Sequence, residues 1–190
     1  HASPRGPLVV RDFAGKVHLH TTLTAPPQKL TRSPYSHYDV ALAPTGEFLA
    51  SDGISSIEIY DLRAPEAEPH KLDDRAGAFA WKPGTNRLTY AREPGVLVTY
   101  DADRRQVERE TWLPARDEGL SLGGFGGSLA WSPTGDRFAL ISKNSCLQVV
   151  GSEGSHVELF VAANAHALWV AGGWCSFSDP SSGAFALMAI

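Results

Sequence analysis

Two histidines one residue apart, His18 and His20, come nearest to a metal site in this 190-residue chain. In Val17-His18-Leu19-His20 apolar and imidazole side chains alternate, so on a strand both imidazoles project from one face. Zinc needs a third and usually a fourth ligand, and the neighbouring sequence supplies no completing motif. The pair is expected to form a solvated strand face with Val17 and Leu19 turned inward, and neither a metal nor a cofactor is expected.

Other candidate chemistry fails on spacing. Asp101 and Asp103 have the separation that opens a calcium loop, but Arg105 stands where a third oxygen ligand is needed and no glycine follows. The surrounding DADRRQVERETW is expected instead to end a unit as a charged outer strand, whose Arg and Glu residues discourage edge-to-edge aggregation. The run Gly123-Gly124-Phe125-Gly126-Gly127 has the composition of a phosphate loop. A phosphate loop lies between a strand and a helix N-terminus, whereas a strand pattern, Ser128 to Trp131, follows this one. Cys146 and Cys175 are expected on the third strand of one unit and the first strand of the next, a poor geometry for a disulfide. They read as small buried apolar residues, which suits the cytoplasm over an oxidising compartment. No Gly-x-Ser-x-Gly, His-Glu-x-x-His, Gly-x-x-x-x-Gly-Lys-Ser/Thr or Cys-x-x-Cys occurs.

The elements that must carry any site repeat. Ala41-Leu42-Ala43-Pro44-Thr45-Gly46-Glu47-Phe48-Leu49, Ala80-Trp81-Lys82-Pro83-Gly84-Thr85-Asn86-Arg87-Leu88 and Ala130-Trp131-Ser132-Pro133-Thr134-Gly135-Asp136-Arg137-Phe138 share one pattern. An apolar strand ends at proline, a glycine-containing turn follows, and a second apolar strand begins. The prolines at 44, 83 and 133 are 39 and 50 residues apart, and a fainter copy around Pro180 adds a step of 47. Ile57-Glu58-Ile59-Tyr60-Asp61-Leu62 returns 40 residues later as Leu97-Val98-Thr99-Tyr100-Asp101-Ala102. Such periods, with several strands per unit, predict four-stranded propeller blades, each needing its neighbours to cover both faces.

The residues from Ala130 to Leu140 resemble the repeat of TolB-type, WD40-like propellers, and Ile57 to Leu62 resembles the Trp-Asp strand of WD40 repeats. The resemblance covers roughly residues 8 to 190. Tyr60 and Tyr100 stand where those repeats carry Trp, and the usual Gly-His pair is missing from its place ahead of each unit. The resemblance implies an all-β propeller of four-stranded antiparallel blades. Three are complete (38–73, 77–112, 127–161), and part-blades at 8–31 and 165–190 flank them behind a loose tail, 1–7. Either the ends close a small ring of about four blades or the chain is a piece of a larger propeller. The second is favoured, because the C-terminal unit reads as stopping on its second strand while the N-terminal one already supplies a similar strand. The chain opens at His1 without a leader segment, so residues upstream of it are expected.

Net charge is −4 and no basic block occurs, which disfavours nucleic acid as a partner. Residues 159 to 177 are the most apolar stretch, but Asn164, His166 and Gly172-Gly173 interrupt it, and no membrane insertion is expected. The 43% hydrophobic and 20% charged content is that of a soluble globular domain. Binding groups are sought on long loops over a rigid scaffold. Thr31 to Asp39 offers Tyr35, His37 and Tyr38, and the insertion from Pro114 to Leu122 offers Arg116, Asp117 and Glu118. Trp81 and Trp131 share one repeat position and are expected to pack between blades. The function these features suggest is a non-catalytic protein-interaction scaffold. The alternative implied by the resemblance is the gating propeller of a larger serine hydrolase, or a periplasmic TolB-like protein.

Overall fold

The computed structural model describes residues 8–11, 14, 16–20, 24, 26–30, 39–52, 56–73, 76–92, 95–112, 128–141, 146–151, 156–160, 166–170, 174–179 and 184–189. Every regular element among them is a strand, and each strand hydrogen-bonds antiparallel to the next in sequence within five separate sheets. The first sheet holds β1 (Leu8–Arg11), β2 (Val17–His20) and β3 (Gln28–Lys29). The second holds β4 (Val40–Leu42), β5 (Phe48–Asp52), β6 (Ile57–Asp61) and β7 (His70–Lys71). The third holds β8 (Ala76–Trp81), β9 (Arg87–Arg92), β10 (Val96–Asp101) and β11 (Gln106–Trp112). The fourth comprises β12 (Ser128–Trp131), β13 (Arg137–Ile141), β14 (Cys146–Gly151) and β15 (His156–Phe160). The last comprises β16 (His166–Val170), β17 (Trp174–Asp179) and β18 (Ala184–Ala189).

The sheets stack in chain order, and that stacking explains why central strands are apolar almost throughout. In β5, Phe48 and Ala50 pack toward the third sheet, with Ile57 and Ile59 beside them and Phe79, Trp81, Tyr90 and Val98 opposite. Leu49, between them in sequence, points the other way and meets Val17, Leu19 and Leu30 of the first sheet. Alternate residues of one strand thus fill two different interfaces. The third sheet divides likewise: Val96 and Val98 face the second sheet, while Leu97 joins Leu129, Phe138 and Leu140 of the fourth. A strand covered on both faces loses the polar alternation of a half-exposed one. The innermost strands β4, β8, β12 and β16 approach one another in succession, leaving β7, β11 and β15 outside.

Turn chemistry sets the strand ends. Pro44-Thr45-Gly46 and Pro133-Thr134-Gly135 put the left-handed residue at glycine, with φ of 79° and 70°. The order Pro83-Gly84-Thr85 moves it one place earlier, at φ 68°. Both arrangements close on the residue before proline, with Gly46 N–H donating to Ala43 O at 2.8 Å and Gly135 N–H to Ser132 O at 2.9 Å. In the middle sheet Thr85 N–H donates to Lys82 O at 3.3 Å.

One expectation needs correction. The C-terminal unit does not stop on a second strand: β16 precedes β17, so Ala184–Ala189 is the third, and Cys175 lies on the second strand of its sheet. The apolar run before Gly172-Gly173 supplies a strand of its own, and the faint proline turn at Pro180 therefore falls one hairpin later than in the other units. Cys146 and Cys175 still belong to different sheets, and neither is the other's register partner. In β2 the alternation is as expected, with Val17 and Leu19 buried and His18 and His20 half-buried.

Candidate interaction surface

The polar residues of the repeat are engaged in holding turns and sheets together. Asp61, at the end of β6, accepts from the Arg63 N–H at 3.0 Å and pairs with its guanidinium through two bonds of 2.9 Å. That pairing holds its carboxyl below the usual carboxylate range. Its repeat equivalent, Asp101, accepts from Arg104 N–H at 3.0 Å. Both aspartates cap the turn into the fourth strand of their sheets, a local job that short acidic side chains do well.

A second network joins the same end of two neighbouring sheets. The buried Asn86 amide donates to Glu47 Oε2 at 2.9 Å and Asp103 Oδ2 at 3.0 Å, and its carbonyl accepts from the Thr45 hydroxyl. Arg63 lies 3.5 Å from Asp103 and 4.0 Å from Glu47 and rests over the Phe48 ring, its guanidinium carbon 4.6 Å from the centroid. Asp103, which sequence spacing offered to calcium, is thus engaged with an amide and a guanidinium. Among the described residues no group of three or more His, Cys, Asp or Glu could hold a metal ion.

At the opposite end of the third sheet, the hydroxyl of buried Tyr90 donates to Asp73 Oδ2 at 2.7 Å. Arg92 bridges that same oxygen at 3.1 Å to Glu110 Oε1 at 2.8 Å. Burial and the neighbouring carboxylate push the Tyr90 phenol well up. No proton-transfer chemistry at neutral pH follows from such a group.

Of the outer edge strands β11 is the longest described, seven residues against two each for β3 and β7 and five for β15. Glu108 and Glu110 reach back to Arg87 and Arg92, while Val107 and Trp112 stand 48% and 66% exposed. Sequence reading foresaw a charged outer strand here but did not single out Trp112. Its place at the end of a strand, next to the Pro114 insertion, was the available signal.

The loop residues chosen from sequence, Tyr35, His37, Tyr38, Arg116, Asp117 and Glu118, lie outside the described residues. Their flanks are defined: Asp39 N–H donates to Asp52 Oδ1 at 2.6 Å, pinning the end of the first loop to the end of β5. The second loop leaves from Trp112. Each of the two joins an outer strand to the next inner strand.

Trp81 and Trp131 do pack between sheets. The Trp81 indole N–H donates to Ala41 O of the preceding sheet at 2.8 Å. Trp131 carries the Lys82 ammonium 5.1 Å above its ring and has Phe138 at 5.0 Å, but its buried N–H lacks an acceptor.

No family model and no curated protein matches this sequence. Solved structures do match. A chain in the crystal structure of a mitotic checkpoint complex is similar over 96% of this chain with a TM-score of 0.64 and 16% identity. This chain spans 60% of the length of that one. At that identity the likeness speaks for the fold alone. With its consecutive antiparallel sheets packed face to face, the chain is an all-β propeller.

Proposed function

We propose that this chain is a non-catalytic protein-interaction scaffold, built on blades with TolB-type turns, that holds a protein partner through loops at the ends of its sheets. The observation that carries the reading is how the polar side chains are used. Asp61, Asn86, Asp101, Asp103, Asp73 and Arg92 are hydrogen-bonded to other parts of the fold. A reaction needs a nucleophile and base held toward an open space; here the repeated polar positions instead stiffen the frame. A stiff frame presenting variable loops is the arrangement that binding loops use.

Rigid aromatics beside charged groups give contact area at small entropic cost. Tyr35, His37 and Tyr38 on one loop and Arg116, Asp117 and Glu118 on the other are the residues assigned to the partner. The test is affinity capture with the chain and its Tyr35→Ala, Tyr38→Ala and Arg116→Ala variants, each first shown to melt like the parent. Reduced retention of the captured protein is expected, and undiminished retention by all three would reject this surface.

A further inference from the structure

Successive boundaries between sheets use the same repeat positions and bond them differently. At the boundary of the second and third sheets, Trp81 N–H donates to Ala41 O at 2.8 Å, Asn86 donates to Glu47 at 2.9 Å and accepts from Thr45, and Arg63 lies 3.5 Å from Asp103. Asp73, just beyond β7, is bound by Tyr90 and Arg92 of the third sheet. The equivalent residues of the fourth sheet do not reach back in this way. Asp136 stands three residues after its proline, as Asn86 does, but accepts from Ser132 and Thr134 of its own turn. Asn86 has no N–H to spare for it, having given one to Glu47 and one to Asp103. Trp131 stands where Trp81 does, but its buried N–H has no acceptor, and the polar contact at its ring is the Lys82 ammonium at 5.1 Å.

Apolar burial is common to both boundaries, with Phe48, Ile59, Trp81 and Val98 at the first and Ala91, Leu97, Leu129 and Phe138 at the second. The polar terms differ in sign. Parting the second and third sheets exchanges formed hydrogen bonds for water at a net cost, whereas parting the third and fourth gives the Trp131 N–H a partner that it lacks when buried. In an array of repeats each boundary contributes its own interface free energy, so the two are not equally strong.

We propose that the propeller opens between its third and fourth sheets, while the second and third stay joined through Trp81, Asn86 and Arg63. The opening uncovers Ala91 and Leu97 on one side and Leu129, Phe138 and Leu140 on the other. It is a sub-global event, costing less than unfolding of the chain, of the kind that divides a fold into cooperative units. The inference goes beyond the scaffold reading, since it concerns the frame and not the loops the frame carries. A frame that parts at one boundary changes the spacing of loops on either side of it and leaves the spacing within each part unchanged.

The experiment is thiol labelling of Val98→Cys and Val150→Cys chains in native buffer. Val98 and Val150 are 0% and 2% exposed, each on the third strand of its sheet and packed toward the sheet before, and cysteine fits the space of valine. Alkylation by iodoacetamide is located by peptide mass, which separates the introduced thiol from Cys146 and Cys175. Position 150 is expected to label about tenfold or more faster than position 98, because one net hydrogen bond is worth several-fold and the boundaries differ by more than one. Adding Trp81→Phe and Asn86→Ala is expected to speed labelling at 98 and leave 150 unchanged. Equal rates at the two sites, faster labelling at 98, or acceleration of both sites by the same factor overturns the proposal, the last because it assigns the labelling to global unfolding. Should either cysteine variant fail to fold, indole N–H exchange in the unaltered chain decides: Trp131 exchanging ahead of Trp81 is expected, and Trp131 exchanging with or after it overturns the proposal.

Discussion

The indole N–H of Trp81 donates to the carbonyl of Ala41 at 2.8 Å, joining two residues 40 apart that belong to successive sheets. That spacing is the repeat period itself, so the bond is one unit holding the one before it. At the next boundary the equivalent indole, Trp131, is half-buried, and its buried N–H is unpaired. The two tryptophans occupy the same repeat position in different energetic situations. Trp81→Phe loses a buried hydrogen bond as well as ring area and is expected to destabilise by about 2–4 kcal/mol. Trp131→Phe removes a donor that has no partner, and its cost is expected to be smaller by about 1–3 kcal/mol. Urea denaturation of both variants checks the order, and equal losses would contradict it.

Asn86 is the junction of the second and third sheets, with its amide N–H groups shared between Glu47 and Asp103 and its carbonyl bound by Thr45. Asn86→Ala strands three polar groups and is expected to cost about 1–3 kcal/mol. Asn86→Asp is the sharper test, because it places a third carboxylate between two others. Its deficit is expected to exceed that of Asn86→Ala, because it replaces two donated hydrogen bonds by repulsion between like charges. Thermal melts of the two variants give the comparison.

The strand order within units and the burial of central strands were legible in the sequence because both follow from period and turn chemistry. Pro44, Pro83 and Pro133 each close an inner strand, and Gly46, Gly84 and Gly135 supply the left-handed backbone that reversal requires. The last unit departs from the sequence expectation because Gly172-Gly173 divides an apolar run that gives no alternation to count, and Pro180 lacks the tryptophan that stands two residues before Pro83 and Pro133. Contacts between sheets were less legible. Nothing local to Asn86 announces Glu47 or Thr45, about 40 positions away. The Trp-Asp resemblance pointed to Asp61 and Asp101 without showing that they cap their own turns. The prominence of Trp112 comes from the length of β11 relative to β7, a property of the sheet.

Asp61 gives the fold a defined acid sensitivity. Hydrogen bonding to Arg63 holds its carboxyl pKa below the unfolded value, against a smaller opposing effect of burial. A depressed pKa contributes stability that is present above the unfolded carboxylate range and is lost as pH falls through the folded value. Asp61→Asn keeps the shape and most of the turn cap but removes that dependence. The variant is expected to be less stable than the parent at pH 7, with the gap narrowing steadily toward pH 2. A pH series of urea midpoints would show it, and a gap independent of pH would assign the role of Asp61 to packing.

Tyr100 sits in the same sheet as Tyr90, yet the two phenols are held differently. The Tyr90 hydroxyl donates to Asp73, whereas the Tyr100 hydroxyl is buried with no hydrogen-bond partner and its ring stacks on His70 at 5.6 Å, 14° from parallel. Burying a hydroxyl without a partner is unfavourable, and deleting it costs no bond. Tyr100→Phe is therefore expected to leave stability unchanged or raise it by about 1 kcal/mol, while Tyr90→Phe lowers it by about 1–2 kcal/mol by leaving Asp73 one donor short. Both changes keep the ring and its packing, so calorimetric melting temperatures isolate the hydroxyl. If Tyr100→Phe lost as much as Tyr90→Phe, the Tyr100 hydroxyl would have to be hydrogen-bonded in solution, through a water or a rotated His70.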